Sequence, residues 1–230
     1  MTMLTEVIIP IKNLSNAKQR LAGILTPELR SGLVLAMLED LLGKLAEVNN
    51  TRIWVIASNR RVSSLVESVG AHYIDEGENQ GYNQAITFAL HYIAQHIQGP
   101  VFPVAIVPGD LPLANTDELS RLITPIVNAP CIGLAPDRLQ KGTNGLYLSR
   151  SDLIPPAFGN NSFNRHRNLA QPKGIKINTI NAAGLAQDID TPDDLARLAA
   201  VLQQGASYEF LQKIDPACLF VDEHHEQGAA

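Results

Sequence analysis

Ile53-Trp54-Val55-Ile56-Ala57 is apolar at five successive positions, with none of the alternation of a strand that keeps one face in water. Such a run fits a central parallel strand covered on both faces, so it asks for helices above and below a sheet. Working outward, 52–58 is joined by short apolar, largely β-branched runs at 6–11, 71–74, 101–107, 130–135, 145–149 and 175–180, with helical patterns between them. Thr26-Pro27-Glu28 supplies a capping hydroxyl, a proline at the first helical position and an acid in the first turn. Leu29, Leu33, Met37, Leu38, Leu41 and Leu42 then recur at helical spacing as the buried face. Further helices are expected at 61–69, 81–97, 116–127, 162–170 and 192–204, the last opened by Thr191-Pro192-Asp193-Asp194 and stopped by Gly205. The fold class is α/β, a mostly parallel central sheet flanked by helices. One domain over 1–222 with a polar tail at 223–230 is the simplest organisation.

Composition narrows the function. A net charge of -5 over 230 residues, with no basic run, argues against general nucleic-acid binding, which needs a cationic surface to displace phosphate counterions. The apolar content of 45% is ample for a packed core. No stretch approaches the roughly 20 apolar residues of a membrane span, and Val7-Ile8-Ile9-Pro10-Ile11 is too short for a secretory core. Cys131 and Cys218 lie far apart without metal spacing. A cytoplasmic protein with small-molecule partners is expected. The His224-His225 pair of the tail reads as solvated chain.

In open α/β sheets ligands bind beyond the carboxyl ends of the strands, so the loops there carry the chemistry. Lys12-Asn13-Leu14-Ser15-Asn16-Ala17-Lys18-Gln19-Arg20 places three cations after the first strand, which suits a loop wrapped around polyphosphate; a solvated surface loop is the plain alternative. Pro108-Gly109-Asp110-Leu111-Pro112 fixes a carboxylate after a buried strand between two stiffening prolines, well placed for a hard cation. Asp188-Ile189-Asp190 precedes the last helix, and alternation in extended chain would turn both carboxylates to one side with Ile189 buried behind. Asp190 could equally cap that helix with Thr191.

Asp137-Arg138-Leu139-Gln140-Lys141-Gly142-Thr143 is a polar loop running into a strand, where glycine lets backbone N–H groups approach an anion and Thr143 adds a hydroxyl. A hairpin turn is the alternative. Gly159-Asn160-Asn161-Ser162 allows a tight turn into a helix whose first N–H groups form an anion site. His166, one turn further on the same face, is a candidate to reach an anionic ligand, and otherwise a core or surface histidine. Asn83, after Gly81 at a helix start, offers donor and acceptor to a nucleobase or ribose.

These segments, in this order, resemble the guanylyltransferases of coenzyme F420 biosynthesis, the CofC and FbiD family. The matching stretches are Ile9-Pro10-Ile11-Lys12 with Ala17-Lys18-Gln19-Arg20-Leu21, Gly81-Tyr82-Asn83-Gln84-Ala85, Asp110-Leu111-Pro112-Leu113, Pro136-Asp137-Arg138 with Gly142-Thr143-Asn144, Phe158 to Phe163 with His166, and Asp188-Ile189-Asp190-Thr191-Pro192. The resemblance implies a GT-A-like, Rossmann-related nucleotidyltransferase fold. It also implies transfer of GMP from GTP to a phosphorylated three-carbon acid, with release of pyrophosphate. The acid would be phosphoenolpyruvate or 3-phospho-D-glycerate, else 2-phospho-L-lactate. By position it makes Asp110, Asp188 and Asp190 ligands of Mg2+, and Thr143, Gly159 and Ser162 contacts of the acceptor. Lys12, Lys18, Arg20 and Asn83 would hold GTP, with Lys18 and Arg20 beside Asp110 in catalysis. It further implies a homodimer, for which Ala217-Cys218-Leu219-Phe220-Val221 is a candidate edge strand. Two departures from the family pattern stand out: Gly109 where alanine is usual, and Tyr82 and Gln84 around Asn83 where smaller residues are common. The rival readings are a related transferase using another nucleotide or a sugar-phosphate or molybdopterin acceptor, and a non-catalytic nucleotide-binding protein.

Overall fold

The structure is a computed structural model that describes residues 4–77, 81–97, 99–124 and 130–214. Among these residues the strands are β1 (Thr5–Pro10), β2 (Thr51–Ala57), β3 (His72–Asp75), β4 (Val104–Ile106), β5 (Cys131–Pro136), β6 (Thr143–Leu148) and β7 (Lys176–Thr179). They form one sheet in the order β3-β2-β1-β4-β6-β5-β7. The helices are α1 (Pro27–Ala46), α2 (Arg60–Ser68), α3 (Tyr82–His96), α4 (Thr116–Ile123), α5 (Ser162–Ala170), α6 (Pro192–Val201) and α7 (Ala206–Leu211).

Strand alternation sorts the core into two layers. Val7, Ile9, Val55, Ala57, Ala105 and Val107 face one side and pack with α1, α2, α4 and α6. Ile8, Trp54, Ile56, Val104 and Ile106 face the other and pack with α3 and α5. The apolar run in β2 is therefore covered on both faces, which is why it lacks alternation. Leu33, Met37, Leu38, Leu41 and Leu42 of α1 are fully buried in the first layer, with Leu29 packed partly against it.

Every strand pairing is parallel except those of β6, which runs antiparallel to both β4 and β5. This reversal matters for the site. The amino end of β6 lies at the same sheet edge as the carboxyl ends of β1 and β4, so Thr143 and Asn144 reach the edge where Pro10 and Pro108 leave it. The chain also departs from β1 to opposite sides, toward β2 and β4, which is the switch point where open α/β sheets leave a crevice.

Three boundaries differ from the sequence expectation by about three residues or more. β4 begins at Val104 and not at 101, because Pro103 has no N–H to donate and contributes only its carbonyl, which accepts from Glu6 N at 3.0 Å. α4 ends at Ile123, and 125–129 lie outside the described residues. α6 ends at Val201, and Gly205, expected only as its stop, opens α7. The Ala206 and Ser207 N–H groups donate to the Asp40 carboxylate at 2.7 and 3.0 Å, and a Cβ at Gly205 would meet Asp40 Oδ1 at 2.5 Å. The candidate edge strand at 217–221 and the tail at 223–230 also lie outside the described residues.

No helix among the described residues is long and apolar enough to cross a membrane.

Candidate active site

Beyond this sheet edge lies a cavity of about 520 Å3, walled by the loop after β1, the turn after β4, the loop into β6, the turn into α5, and Asp188 and Asp190. Lys12, Lys18, Arg20, Asp110, Thr143, Gly159, Ser162, Asp188 and Asp190 all line it. Asn83 and His166 do not, and both act one step behind it.

The loop after β1 folds as two short 3-10 turns, Leu14–Asn16 and Gln19–Leu21, and Leu14 and Leu21 are buried. Between them Lys18 has φ 48 and ψ 48, a left-handed backbone that costs a non-glycine residue about 1–2 kcal/mol. The strain has a compensating interaction. Lys18 Nζ donates to Asp110 Oδ2 at 2.6 Å and to Asp190 Oδ1 at 2.8 Å, with only 7% of the side chain exposed. Burial alone would lower its pKa, but the two carboxylates outweigh it and hold the ammonium protonated well above the usual lysine range. Burial likewise pushes Asp190 upward, and Lys18, with more distant Lys12 and Arg20, outweighs that and leaves the carboxyl below its ordinary value.

Asp110 is presented by the turn after β4. Its carbonyl accepts from Ile189 N at 3.3 Å, which ties this turn to the Asp188–Asp190 segment. Ile189 is buried while both flanking aspartates line the cavity. Thr191, and not Asp190, caps α6, in a capping box with Asp194. Asp188 Oδ1 accepts from Asn144 Nδ2 at 3.2 Å, and its pKa is raised by burial and then by the Asp110 charge. Asp110 Oδ1 is buried with no hydrogen-bond partner. Asp110, Asp188 and Asp190, expected as ligands of Mg2+, line the same cavity. Among the described residues no group of three or more His, Cys, Asp or Glu side chains is gathered as a metal cage, and the Lys18 ammonium supplies the positive charge between Asp110 and Asp190.

Gly109, one of the two departures noted from the sequence, lies against Ile11. A Cβ there would meet Ile11 Cδ1, and the end of that side chain would have to shift.

The loop 137–142 is the hairpin connection of β5 and β6, the plainer of the two expectations. Asp137 accepts the Lys141 and Gly142 N–H groups, each at 2.8 Å, so these are not available to an anion. The helix start at α5 is likewise partly engaged: Ser162 N donates to Gly159 O at 3.1 Å and Phe163 N to Lys141 O at 3.0 Å. Gly159 has φ 109, reserved to glycine, and brings the turn to the cavity.

Two expectations are revised. His166, expected to reach an anionic ligand, is 0% exposed, with Nδ1 3.0 Å from Thr143 Oγ1 and Nε2 3.0 Å from Ala157 N. Burial, aided by the Arg165 charge, lowers its pKa to about 4, so the ring is neutral near pH 7. Asn83, expected to hold the nucleotide, clamps the backbone of Phe158, accepting its N–H at 2.8 Å and donating to its carbonyl at 3.1 Å. It shapes the turn toward Gly159.

Sequence reasoning gave no site role to Asn144 and weighed Tyr82 only as a neighbour of Asn83. Tyr82 lines the cavity, packs edge-on against Phe158 with centroids 5.4 Å apart, and carries Lys12 Nζ 5.6 Å from its ring centroid. Asn144 could have been noticed as the strand residue beside Thr143; for Tyr82 the bulk beside Gly81 was the only signal.

The family model described as guanylyl transferase CofC-like matches residues 5–226. A phosphoenolpyruvate guanylyltransferase of Sphaerobacter thermophilus is 34% identical, covering 89% of this chain and 97% of that protein. A 3-phospho-D-glycerate guanylyltransferase of Phenylobacterium zucineum is 30% identical over 85% and 90%. A 2-phospho-L-lactate guanylyltransferase of Methanothermobacter thermautotrophicus is 30% identical over 92% of each. Among solved structures, one from Desulfovibrio desulfuricans described as a nucleotide-diphospho-sugar transferase superposes with a TM-score of 0.73 at 12% identity, over 95% of this chain and 97% of that one. A nucleotidyl transferase of Methanothermobacter gives 0.60 at 12% identity, over 92% and 99%. These two carry the fold alone.

Proposed function

Because the chain belongs to the guanylyl transferase CofC-like family, we propose that it transfers GMP from GTP to the phosphate of a three-carbon phosphorylated acid, as in coenzyme F420 biosynthesis. Phosphoenolpyruvate or 3-phospho-D-glycerate is the favoured acceptor, with 2-phospho-L-lactate behind them. The observation that carries this reading is a single cavity lined by Lys12, Lys18 and Arg20, by Thr143, Gly159 and Ser162, and by Asp110, Asp188 and Asp190.

The chemistry asks little of a base. An acceptor phosphate oxygen, already anionic, forms a bond to the α-phosphorus of GTP while the bond from that phosphorus to the bridging oxygen breaks and pyrophosphate leaves. The obstacle is bringing two anions together, and the protein answers with position and charge. Lys12 and Arg20 would lie along the nucleotide phosphates, and Lys18 would hold Asp110 and Asp190 apart from them or turn to a phosphate oxygen. Thr143 and Ser162 would orient the acceptor, with Asn83 behind them fixing Phe158 and hence Gly159.

The residues fit a hard cation. Asp110 Oδ1 is buried with no hydrogen-bond partner, and Asp188 is pushed upward by burial and then by the Asp110 charge, so carboxylate oxygens here carry negative charge that the protein does not fully answer. Mg2+ commonly takes only one or two protein carboxylates, so Asp110 with Asp190 or Asp188 suffices without a three-ligand cage. When bound it would supply charge neutralisation to the phosphates. A cytoplasmic site of action fits these soluble substrates.

The test is product mass, with the protein, Mg2+, each of GTP, CTP, UTP and ATP, and each of the three acids. A product that is the acid plus GMP, together with pyrophosphate, is expected. CTP or UTP outperforming GTP with every acceptor would refute the nucleotide assignment.

A further inference from the structure

His166 lies outside the cavity wall, yet its two hydrogen bonds fix the chemistry of a residue on it. The Ala157 N–H can only donate, so Nε2, 3.0 Å away, must present its lone pair. In a neutral imidazole the proton then sits on Nδ1, and Nδ1 donates to Thr143 Oγ1 at 3.0 Å. The opposite tautomer would set two N–H groups against each other at Ala157. This assignment follows from the network of donors and acceptors.

The ring has no room to turn. His166 is fully buried and stands edge-on to Phe158 with centroids 5.0 Å apart. The nearby Arg165 guanidinium, which donates to Phe158 O at 2.7 Å, disfavours a second positive charge. Thr143 is also buried and opens β6, where a β-branched side chain has few χ1 choices. Its oxygen already accepts from His166, so its own proton is left to point elsewhere, and the residue lines the cavity.

We propose that His166 is a positioning residue: by donating to Thr143 Oγ1 from a tautomer that Ala157 locks, it occupies one lone pair of the Thr143 hydroxyl and leaves that hydroxyl's proton to donate to the phosphorylated acid. The inference rests on the guanylyl-transfer reading, which puts the acceptor on the Thr143 side. It assigns to a buried histidine a role in turning the Thr143 proton toward an anionic oxygen of the acceptor.

The test compares His166→Leu, His166→Gln, Thr143→Val and the double variant His166→Leu with Thr143→Val. A hydrogen bond to a charged oxygen is worth roughly a tenfold to hundredfold in affinity. Thr143→Val and His166→Leu should each raise the acceptor KM by roughly that factor with the GTP KM unchanged. The double variant should be no worse than Thr143→Val, because both changes remove one interaction. A glutamine amide accepts and donates at adjacent atoms, so His166→Gln should recover most of what His166→Leu loses. Thermal stability of each apo variant, and its shift by phosphoenolpyruvate or 3-phospho-D-glycerate with GTP and Mg2+, provides a readout independent of turnover. Should the wild type turn over none of the acids, the functional reading fails, while wild type and His166→Gln shifted more than the other variants would still support the relay. A wild-type acceptor KM in His166→Leu, multiplying effects in the double variant, or equal shifts in all variants would overturn it. So would a His166→Leu protein that loses GTP and acceptor binding in parallel with its fold.

Discussion

Replacing Lys18 with methionine keeps the stem and removes the charge that sits between Asp110 and Asp190. At 2.6 and 2.8 Å and an effective dielectric near 20, each contact is a gross attraction of about 6 kcal/mol, much of it offset by desolvating the ammonium. Removing one partner of a buried pair costs about 3–5 kcal/mol, because the remaining charge stays uncompensated. The Asp190 side chain is 44% exposed, so its share is discounted to about 0–1 kcal/mol, while Asp110 at 27% keeps the larger part. A net loss of about 3 kcal/mol is therefore expected, or a fall of about 6–12 °C in Tm for a chain of this size. Urea unfolding by circular dichroism at pH 7.5, with and without 5 mM Mg2+, measures it. Because the methionine leaves two carboxylates facing each other, Mg2+ should stabilise the variant more than the wild type. A variant as stable as wild type, with no added response to Mg2+, would refute the view that the Lys18 ammonium balances the acidic pair.

Asp110→Asn removes one charge without changing shape; turnover should fall at least about 100-fold while the folded circular dichroism spectrum is retained, and wild-type turnover would remove Asp110 from the chemistry. His166 makes stability pH-dependent: its pKa falls from 6.5 unfolded to about 4 folded, so the unfolded chain takes up the proton first. Stability from this group is present above pH 6.5 and is lost as pH falls toward 4, by about 3 kcal/mol in all. His166→Gln should flatten that part of the profile in urea titrations between pH 4 and 7. Gly109→Ala should cost about 1–3 kcal/mol by crowding Ile11 Cδ1, and adding Ile11→Val, which deletes that atom, should return part of it; strictly additive losses would contradict the packing account.

The parts of this site that could be read from sequence are those whose geometry is local. A buried run ending in Pro-Gly-Asp announces a carboxylate at a strand end, and Thr191-Pro192-Asp193-Asp194 announces a helix start, because caps and strand ends are settled within a few residues. The pairing of Lys18 with Asp110, 92 residues away, and with Asp190, 172 away, has no local signature, and neither does the His166–Thr143 bond. The reversal of β6 was equally hidden, since a buried strand has the same composition in either direction. α7 was missed because Gly205 reads as a stop, and only the distant Asp40 carboxylate turns it into a start.

The charge lining the cavity bears on why Lys18 stands where it does. Four cations, Lys12, Lys18, Arg20 and Lys141, face four carboxylates, Asp110, Asp137, Asp188 and Asp190, so the wall is formally neutral. Asp137 is engaged with backbone N–H groups of its own loop, and Lys18 lies between Asp110 and Asp190. A neutral wall cannot by itself draw in a nucleotide triphosphate and a second phosphorylated anion. Cationic charge has to arrive with the nucleotide, and the carboxylates that would receive it are those Lys18 holds. A divalent ion held by Asp110 would add its two positive charges to this wall and would leave the Lys18 ammonium, already part of the neutral sum, to turn toward the phosphates. The same coupling predicts that Lys18→Met binds Mg2+ more tightly in the absence of GTP than the wild type does, yet binds Mg-GTP more weakly, as isothermal titration of each ligand can read. Equal Mg2+ affinity in the two proteins would sever the proposed exchange between lysine and metal.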